Sequence, residues 1–229
     1  MLQEMISRAD ALLFDFDGVV ADSEPFYYET YNTILGKRGH QIDREEYWEY
    51  WTCKGHGLPG EIQRHNLSFS DEEVDAIMDE RRTYYSGLCQ NGRIPLYAGM
   101  TRAVELLVEK GKKCAIASNS FEDDILAVLR HGGCPTPCFP VVGRREGLRT
   151  KPKPDIFIYT AGILDCTPKK CLVVEDALKG LEAARTAGMS CALIRSPFNQ
   201  KADFSGADGV IQSHEAFCRA VEEWAQSAR

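Results

Sequence analysis

Leu12-Leu13-Phe14-Asp15-Phe16-Asp17-Gly18-Val19-Val20-Ala21-Asp22-Ser23-Glu24 places two carboxylates, two residues apart, at the end of an apolar run and follows them at once with a glycine. While the chain stays extended, Asp15 and Asp17 project to one side and Phe14 and Phe16 to the other. The run from 11 to 16 lacks polar alternation, which is how a strand buried on both faces reads. Gly18 then permits a sharp departure from the strand. A carboxylate can accept a phosphoryl group, and a second acid beside it can protonate the leaving oxygen. Two aspartates and a glycine also suit a plain strand end and turn. The segment alone supports both readings.

Further apolar runs of the same kind occur at 113–117, 170–174, 191–194 and 209–211. Between them lie segments with helical period: 99–110 ending at Gly111, 120–131 ending at Gly132, 154–164, and 178–187 ending at Gly188, with a last helix over 214–227. Strand and helix alternate, which predicts an α/β fold with a doubly wound parallel sheet. The stretch 23–93 breaks the rhythm. It reads as helices at 25–37, 44–52, 59–65 and 71–85, the last with Ser70 as N-cap and Glu73 completing a capping box. An α-helical cap inserted over 23–93 is therefore expected, with 1–22 and 94–229 forming the core. Its two linkers would form a hinge beside the carboxyl end of the first strand, the edge at which open α/β sheets bind ligands.

Three other strand ends carry polar groups. Ser118-Asn119-Ser120 follows 113–117 and precedes a helix, so a hydroxyl, an amide and helix N-terminal N–H groups could cradle a phosphate or simply cap the helix. Lys151, in Thr150-Lys151-Pro152-Lys153-Pro154-Asp155, stands in a proline-stiffened loop, either as a counter-charge or as a solvated lysine. Glu175 and Asp176 end the run 170–174. If these acids meet Asp15 and Asp17, they cannot all stay ionised without a cation, and Mg²⁺ suits such an oxygen-rich set.

Composition narrows the partners. With 229 residues, 44% hydrophobic and 27% charged, the chain has enough apolar material for a packed core. A formal charge of −7 offers no basic field for nucleic acid or an anionic membrane, so a small substrate is expected. Residues 1–10 carry Glu4 and Arg8 and no apolar run, and no later stretch is long enough to span a bilayer, so a cytoplasmic protein is expected. The nine cysteines read as reduced thiols, with Cys114, Cys171 and Cys191 in buried strands. Cys134 and Cys138 lack a second Cys or His pair at zinc-finger spacing. Nothing demands more than a monomer.

Asp15-x-Asp17-Gly18, Ser118, Lys151 and Glu175-Asp176, in this order, resemble the motifs of the haloacid-dehalogenase-like phosphohydrolases. Asp17 to Glu24, Lys151-Pro152-x-Pro154-Asp155 and Glu175-Asp176-Ala177-x-x-Gly180 are similar to the β-phosphoglucomutase-like branch. The resemblance covers the whole chain and implies a Rossmann-like core with a helical cap. It implies Asp15 as nucleophile, Asp17 as general acid and then base, Ser118 and Asn119 on the phosphate, and Lys151 as its counter-charge. It also implies Mg²⁺ held by the Asp15 carboxylate, the Asp17 carbonyl oxygen and Asp176, with Glu175 in support. Lys54-Gly55, next to His56, is similar to the branch's substrate-reading loop. Both Lys54 and His56 are thus candidate substrate contacts in the cap.

The resulting expectation is a Mg²⁺-dependent phosphatase for a small phosphorylated metabolite, a sugar or polyol phosphate, acting through an aspartyl-phosphate. A sugar-phosphate mutase is the main alternative. The mutases carry an arginine and a histidine where this chain has Leu58 and Tyr27. A carbon–halogen hydrolase would need neither Asp17 nor a metal. A phospho-receiver, the non-enzymatic alternative, is about half this length, has no cap, and carries its acidic pair on the first strand.

Overall fold

The computed structural model describes residues 1–227. The chain runs α1 (Leu2–Arg8), β1 (Ala11–Phe14), α2 (Glu24–Gly36), α3 (Arg44–Glu46), a π-helical turn (Tyr47–Cys53), α4 (Gly57–His65) and α5 (Asp71–Gln90). It continues with α6 (Met100–Glu109), β2 (Lys113–Phe121), α7 (Glu122–His131), β3 (Val141–Arg144), α8 (Asp155–Ile163), a short 3₁₀ turn (Pro168–Lys170) and β4 (Cys171–Glu175). Last come α9 (Leu178–Thr186), β5 (Ser190–Ile194), β6 (Gly209–Ile211) and α10 (His214–Ser227).

The strands form one parallel sheet in the order β3-β2-β1-β4-β5-β6. β1 is central: Phe14 pairs with Ile116 on one side and Val174 on the other. The missing polar alternation has a direct cause. Leu12, Phe14, Ile116 and Val174 face a core closed by α1, α6, α7 and α10. Leu13, Ala115, Val173 and Leu193 face a second core under α8 and α9. Both faces are buried, so neither needs polar residues. After β1 the chain builds β2 and β3 on one side, then crosses to β4 on the other, which puts a topological switch point at the carboxyl end of β1.

Phe217 on α10 is fully buried and meets Phe14 edge to face, with ring centroids 5.8 Å apart. Phe217→Ala is expected to lower stability by about 3–5 kcal/mol, the usual cost of a buried phenylalanine and its residual cavity. Urea unfolding measures this; a loss below about 1 kcal/mol would mean that the site collapses around the gap.

Helices α2 to α5 pack around a third apolar cluster that includes Ile34, Leu35, Tyr47, Trp51, Leu58 and Ile77. The Ser70–Glu73 capping box is present at the start of α5. The chain segments leading into and out of these helices run side by side: Asp22 N–H donates to Pro95 O (2.9 Å), and Tyr97 N–H donates to Val20 O (2.9 Å). Among the described residues no helix is long and apolar enough to cross a membrane.

The sequence expectation holds no helix at α1 (Leu2–Arg8), and four further elements differ from it. β2 continues to Phe121, with its register against β3 shifting between Ala117 and Phe121, so α7 begins at Glu122. Ser118, Asn119 and Ser120 therefore lie on an irregular strand end just before the first turn of α7. β3 has no strong signal, being four residues that include Gly143 and Arg144. Gly143 is demanded by packing, since a Cβ there would lie 2.4 Å from Glu122 N. The expected helix at 44–52 turns π-helical from Tyr47, and α5 runs five residues past 85, to Gln90.

Candidate active site

Asp15 N–H donates to Val174 O (2.9 Å), which keeps Asp15 in sheet register one residue past β1. Gly18 then turns with φ +75°, and a Cβ on it would lie 2.0 Å from Asp176 Oδ2. Glycine is thus required twice at this position, for the turn and for the approach of Asp176. The buried His214 Nε2–H donates to Gly18 O (2.9 Å), pinning the turn from α10.

Lys151 ties the strand tips together. Its Nζ lies 2.9 Å from Asp15 Oδ1 and 2.8 Å from Glu175 Oε1, with the side chain 1% exposed. Asn119 positions its backbone, accepting from Lys151 N–H at 2.9 Å. Glu175 Oε2 accepts from the N–H groups of Asp176 and Ala177 (2.8 and 2.9 Å). Gly180 leaves room for this carboxylate, because a Cβ there would lie 1.8 Å from Glu175 Oε1.

Carboxylate oxygens of Asp15, Glu175 and Asp176 lie within 4.8 Å of one another, all three residues buried. Burial, then the charge of Asp15 on Glu175 and of Glu175 on Asp176, pushes both upward from the ordinary carboxylate range. Burial alone would lower the Lys151 pKa, but Asp15 and Glu175 together raise it, so Lys151 stays charged. Asp15 Oδ1, although close to Lys151, receives no well-aligned hydrogen bond. Three crowded carboxylates, with Lys151 in ion-pair contact and Lys179 farther off, fit a hard, oxygen-seeking divalent cation such as Mg²⁺.

Asp17 has different surroundings. Its carboxyl accepts from Ser120 Oγ (2.5 Å), from Tyr85 Oη (3.0 Å) and, at 3.5 Å, from Ser118 Oγ. Desolvation, followed by the charge of Asp15, raises its pKa, the direction a general acid requires. Asp15, Asp17, Ser118, Asn119, Lys151 and Asp176 all line a cavity of about 660 Å³. Glu175 sits behind it.

Helices α2 and α5 and the turn after Cys53 form the opposite wall. Tyr27 stacks on Tyr85 (centroids 4.0 Å, 12° between planes) and its hydroxyl lies 3.1 Å from Ser120 Oγ. Lys54 reaches the cavity but pairs with Glu49 (2.8 Å) and lies 4.0 Å over the Tyr50 ring. His56 is not among the lining residues; its N–H donates to Tyr50 O (2.9 Å). Leu58 is buried in the helices' apolar core. The sequence reading missed Arg81 and Tyr85. Arg81 lines the cavity, has no carboxylate within ion-pair distance among the described residues, and keeps a buried Nε without a hydrogen bond. The signal was available: Met78, Arg81 and Tyr85 share one face of α5 at helical spacing, and all three line the cavity.

Glu24, also in the cavity wall, accepts from Thr52 Oγ1 at 3.2 Å. Burial pushes its carboxyl from the ordinary 4.5 up to about 7; Asp17 and Asp15 add to this, while Lys179 and Thr52 oppose it. An acid whose pKa is raised by folding holds its proton more tightly in the native chain. Its stabilising contribution is full below pH 4.5 and is lost as pH rises through about 7. Glu24→Gln should therefore raise Tm relative to wild type at pH 8 and leave it nearly unchanged at pH 5, in metal-free buffer. Parallel Tm–pH profiles for the two proteins would contradict this assignment.

Comparison with known proteins places this geometry. Protein CbbY from Cereibacter sphaeroides is 28% identical over 213 residues, spanning 89% of this chain and 92% of that protein. A phosphorylated carbohydrates phosphatase from Thermotoga maritima is 26% identical over 182 residues, 79% of this chain and 82% of its own length. Among solved structures, a mutant of CbbY from Rhodobacter sphaeroides in complex with xylulose-(1,5)bisphosphate superposes with a TM-score of 0.74 at 26% identity, covering 90% of this chain and 95% of that one. The family model for haloacid dehalogenase-like hydrolases matches residues 9–188, a span that holds Asp15, Asp17, Ser118, Lys151, Glu175 and Asp176 together. The chain belongs to the haloacid dehalogenase-like hydrolases.

Proposed function

We propose that this hydrolase is a Mg²⁺-dependent phosphatase that cleaves a small sugar or polyol phosphate through an aspartyl-phosphate on Asp15. In this reading residues 23–93 act as a cap over a core of residues 1–22 and 94–229. An Asp15 carboxylate oxygen attacks phosphorus as the ester P–O bond breaks, and Asp17 gives its proton to the leaving alcohol. Asp17, now a carboxylate, takes a proton from water as that water attacks the phosphoryl group. The second P–O bond breaks, and Asp15 and inorganic phosphate are released. Lys151, Ser118 and Asn119 hold the phosphoryl oxygens. The Asp15 carboxylate, the Asp17 carbonyl oxygen and Asp176 would hold Mg²⁺, with Glu175 supporting, and the ion would supply charge neutralisation at the phosphoryl oxygens.

The observation that carries this reading is the contrast between the two aspartates. Asp15 faces the cavity with Oδ1 in ion-pair contact with Lys151 Nζ (2.9 Å), while Asp17 is held by hydrogen bonds from Ser120 and Tyr85 with its pKa raised. A carbon–halogen hydrolase has no use for that second acid. The names of the carbohydrate phosphatase and of the CbbY complex support a phosphorylated sugar as the substrate class. Tyr27, bonded to Ser120, and Leu58, buried among apolar residues, stand where a mutase needs basic contacts, which favours hydrolysis over isomerisation.

Phosphate release from sugar phosphates, polyol phosphates, phosphoglycolate and nucleotides, with and without Mg²⁺, tests the proposal. Metal-dependent release that is fastest with a sugar or polyol ester is expected; release confined to nucleotides, or none, would refute it. Asp176→Ala is expected to raise the Mg²⁺ concentration for half-maximal activity by roughly 10-fold or more, as loss of a direct carboxylate ligand should. An unchanged Mg²⁺ titration would remove Asp176 from the ligand set.

A further inference from the structure

We propose that helices α2 to α5 carry a second metal site, for Zn²⁺ or a similar transition ion, formed by His40, Glu61 and His65 with Glu46 beside them. His40 lies in the loop after α2, Glu46 ends α3, and Glu61 and His65 are one turn apart on α4. Glu61 Oε1 is the centre of the group, 2.8 Å from His40 Nε2 and 3.5 Å from His65 Nε2. His65 Nε2 is also 2.9 Å from Glu46 Oε2. Ligands about 2.0–2.1 Å from a tetrahedral zinc stand roughly 3.3 Å apart, so small side-chain shifts would admit the ion. None of these four residues lines the active-site cavity.

Three features distinguish this group from a simple charged surface. Glu61 is wholly buried, and its second oxygen is occupied: Oε2 accepts from Trp51 Nε1 (2.8 Å) and from the Arg64 guanidinium. These bonds fix the carboxylate so that Oε1 faces both imidazoles, the arrangement by which supporting residues orient a metal ligand. The donor set is two imidazole nitrogens and carboxylate oxygen, which suits Zn²⁺ and disfavours Mg²⁺. The carboxylates of Glu46 and Glu61 outnumber the Arg64 guanidinium beside them, which leaves anionic oxygen for a cation to meet. The site also opens to solvent, with the His65 side chain 34% exposed and that of Glu46 37% exposed, which gives an ion a way in.

Bound there, an ion would join the loop after α2, the end of α3 and the body of α4. Helix α4 begins at Gly57, directly after the Lys54–Gly55 turn that lines the cavity. The ion would thereby brace the wall facing the catalytic aspartates without taking part in the chemistry.

The test uses the full chain, stripped of metal and held in excess Mg²⁺ so that the carboxylate centre is saturated, and titrated with Co²⁺ as a coloured substitute for zinc. One equivalent should bind with a tetrahedral d–d absorption band that Zn²⁺ displaces. His40→Gln and His65→Gln should each weaken Co²⁺ binding by more than about tenfold, and Asp176→Asn should leave the band intact. Absence of the band, or a band indifferent to both histidine substitutions, would overturn the proposal. Imidazole ¹⁵N spectra of the wild type need no variant: one equivalent of Zn²⁺ should shift Nε2 of His40 and His65, and unshifted signals would also overturn it.

Discussion

Asp15→Asn is expected to abolish turnover, with a loss on the order of 10⁴-fold or more, the scale of removing a nucleophile. An amide neither accepts a phosphoryl group at a useful rate nor ligates a hard cation as well as a carboxylate. The fold should survive, because the substitution removes a charge from a crowded group and leaves Lys151 paired with Glu175 at 2.8 Å. The defect should therefore appear in kcat with little change in Tm. The preparation needs a mass check for deamidation, which would restore the aspartate. Wild-type turnover in verified Asp15→Asn protein would place the nucleophile elsewhere.

Lys151→Ala should have the second largest effect, and on two quantities. Lys151 is the one cation in direct contact with both Asp15 and Glu175 among the described residues. Its loss leaves buried carboxylates facing one another and should cost about 3–5 kcal/mol of stability in the absence of metal. It also removes a counter-charge from the phosphoryl oxygens, for a fall in kcat of about 10²–10³-fold. Raising Mg²⁺ should recover part of the stability and little of the turnover, since the ion can neutralise the carboxylates but cannot occupy the lysine's place on the phosphate. Urea unfolding with and without Mg²⁺, beside steady-state kinetics, separates the two. A stability loss that Mg²⁺ leaves untouched would mean that the ion does not bind among these acids.

How much of the site could be read in advance follows from where each residue sits. Asp15, Glu175 and Asp176 each end a run buried on both faces, and parallel strands bring such ends to one edge, so their convergence follows from local pattern plus sheet topology. Lys151 was expected at this edge only through the resemblance, and the contact with Asn119 that positions it joins loop to strand end with no signal in either segment. The helical wall was harder to read. Tyr85 reaches Asp17 across 68 positions of sequence, and Tyr27 stacks on Tyr85 across 58. Packing between helices sets these pairs, and no short-range pattern announces them. His214, bonded to Gly18 O, is more remote still. Secondary structure failed in the same way: β3 is four residues with a glycine, placed by pairing with Ile116, Ala117 and Phe121 of β2 rather than by any pattern of its own. His56 and Lys54 were both expected to meet substrate, but of the two only Lys54 lines the cavity, while Arg81 also lines it with no carboxylate within ion-pair distance among the described residues. Helix α5 had declared that face through the spacing of Met78, Arg81 and Tyr85, yet an arginine in an acidic, amphipathic helix also reads as solvated surface.

Hydrolysis and isomerisation share every step up to the phosphorylated aspartate, and they part on whether water or a sugar hydroxyl takes the phosphoryl group. ³¹P spectra of glucose 1-phosphate, glucose 6-phosphate and several polyol phosphates, recorded with enzyme and Mg²⁺, with and without a bisphosphate primer, follow that choice directly. The predicted result is Mg²⁺-dependent growth of the inorganic phosphate signal at the expense of an ester, with no second ester appearing. Rapid interconversion of the two glucose phosphates without free phosphate would contradict it.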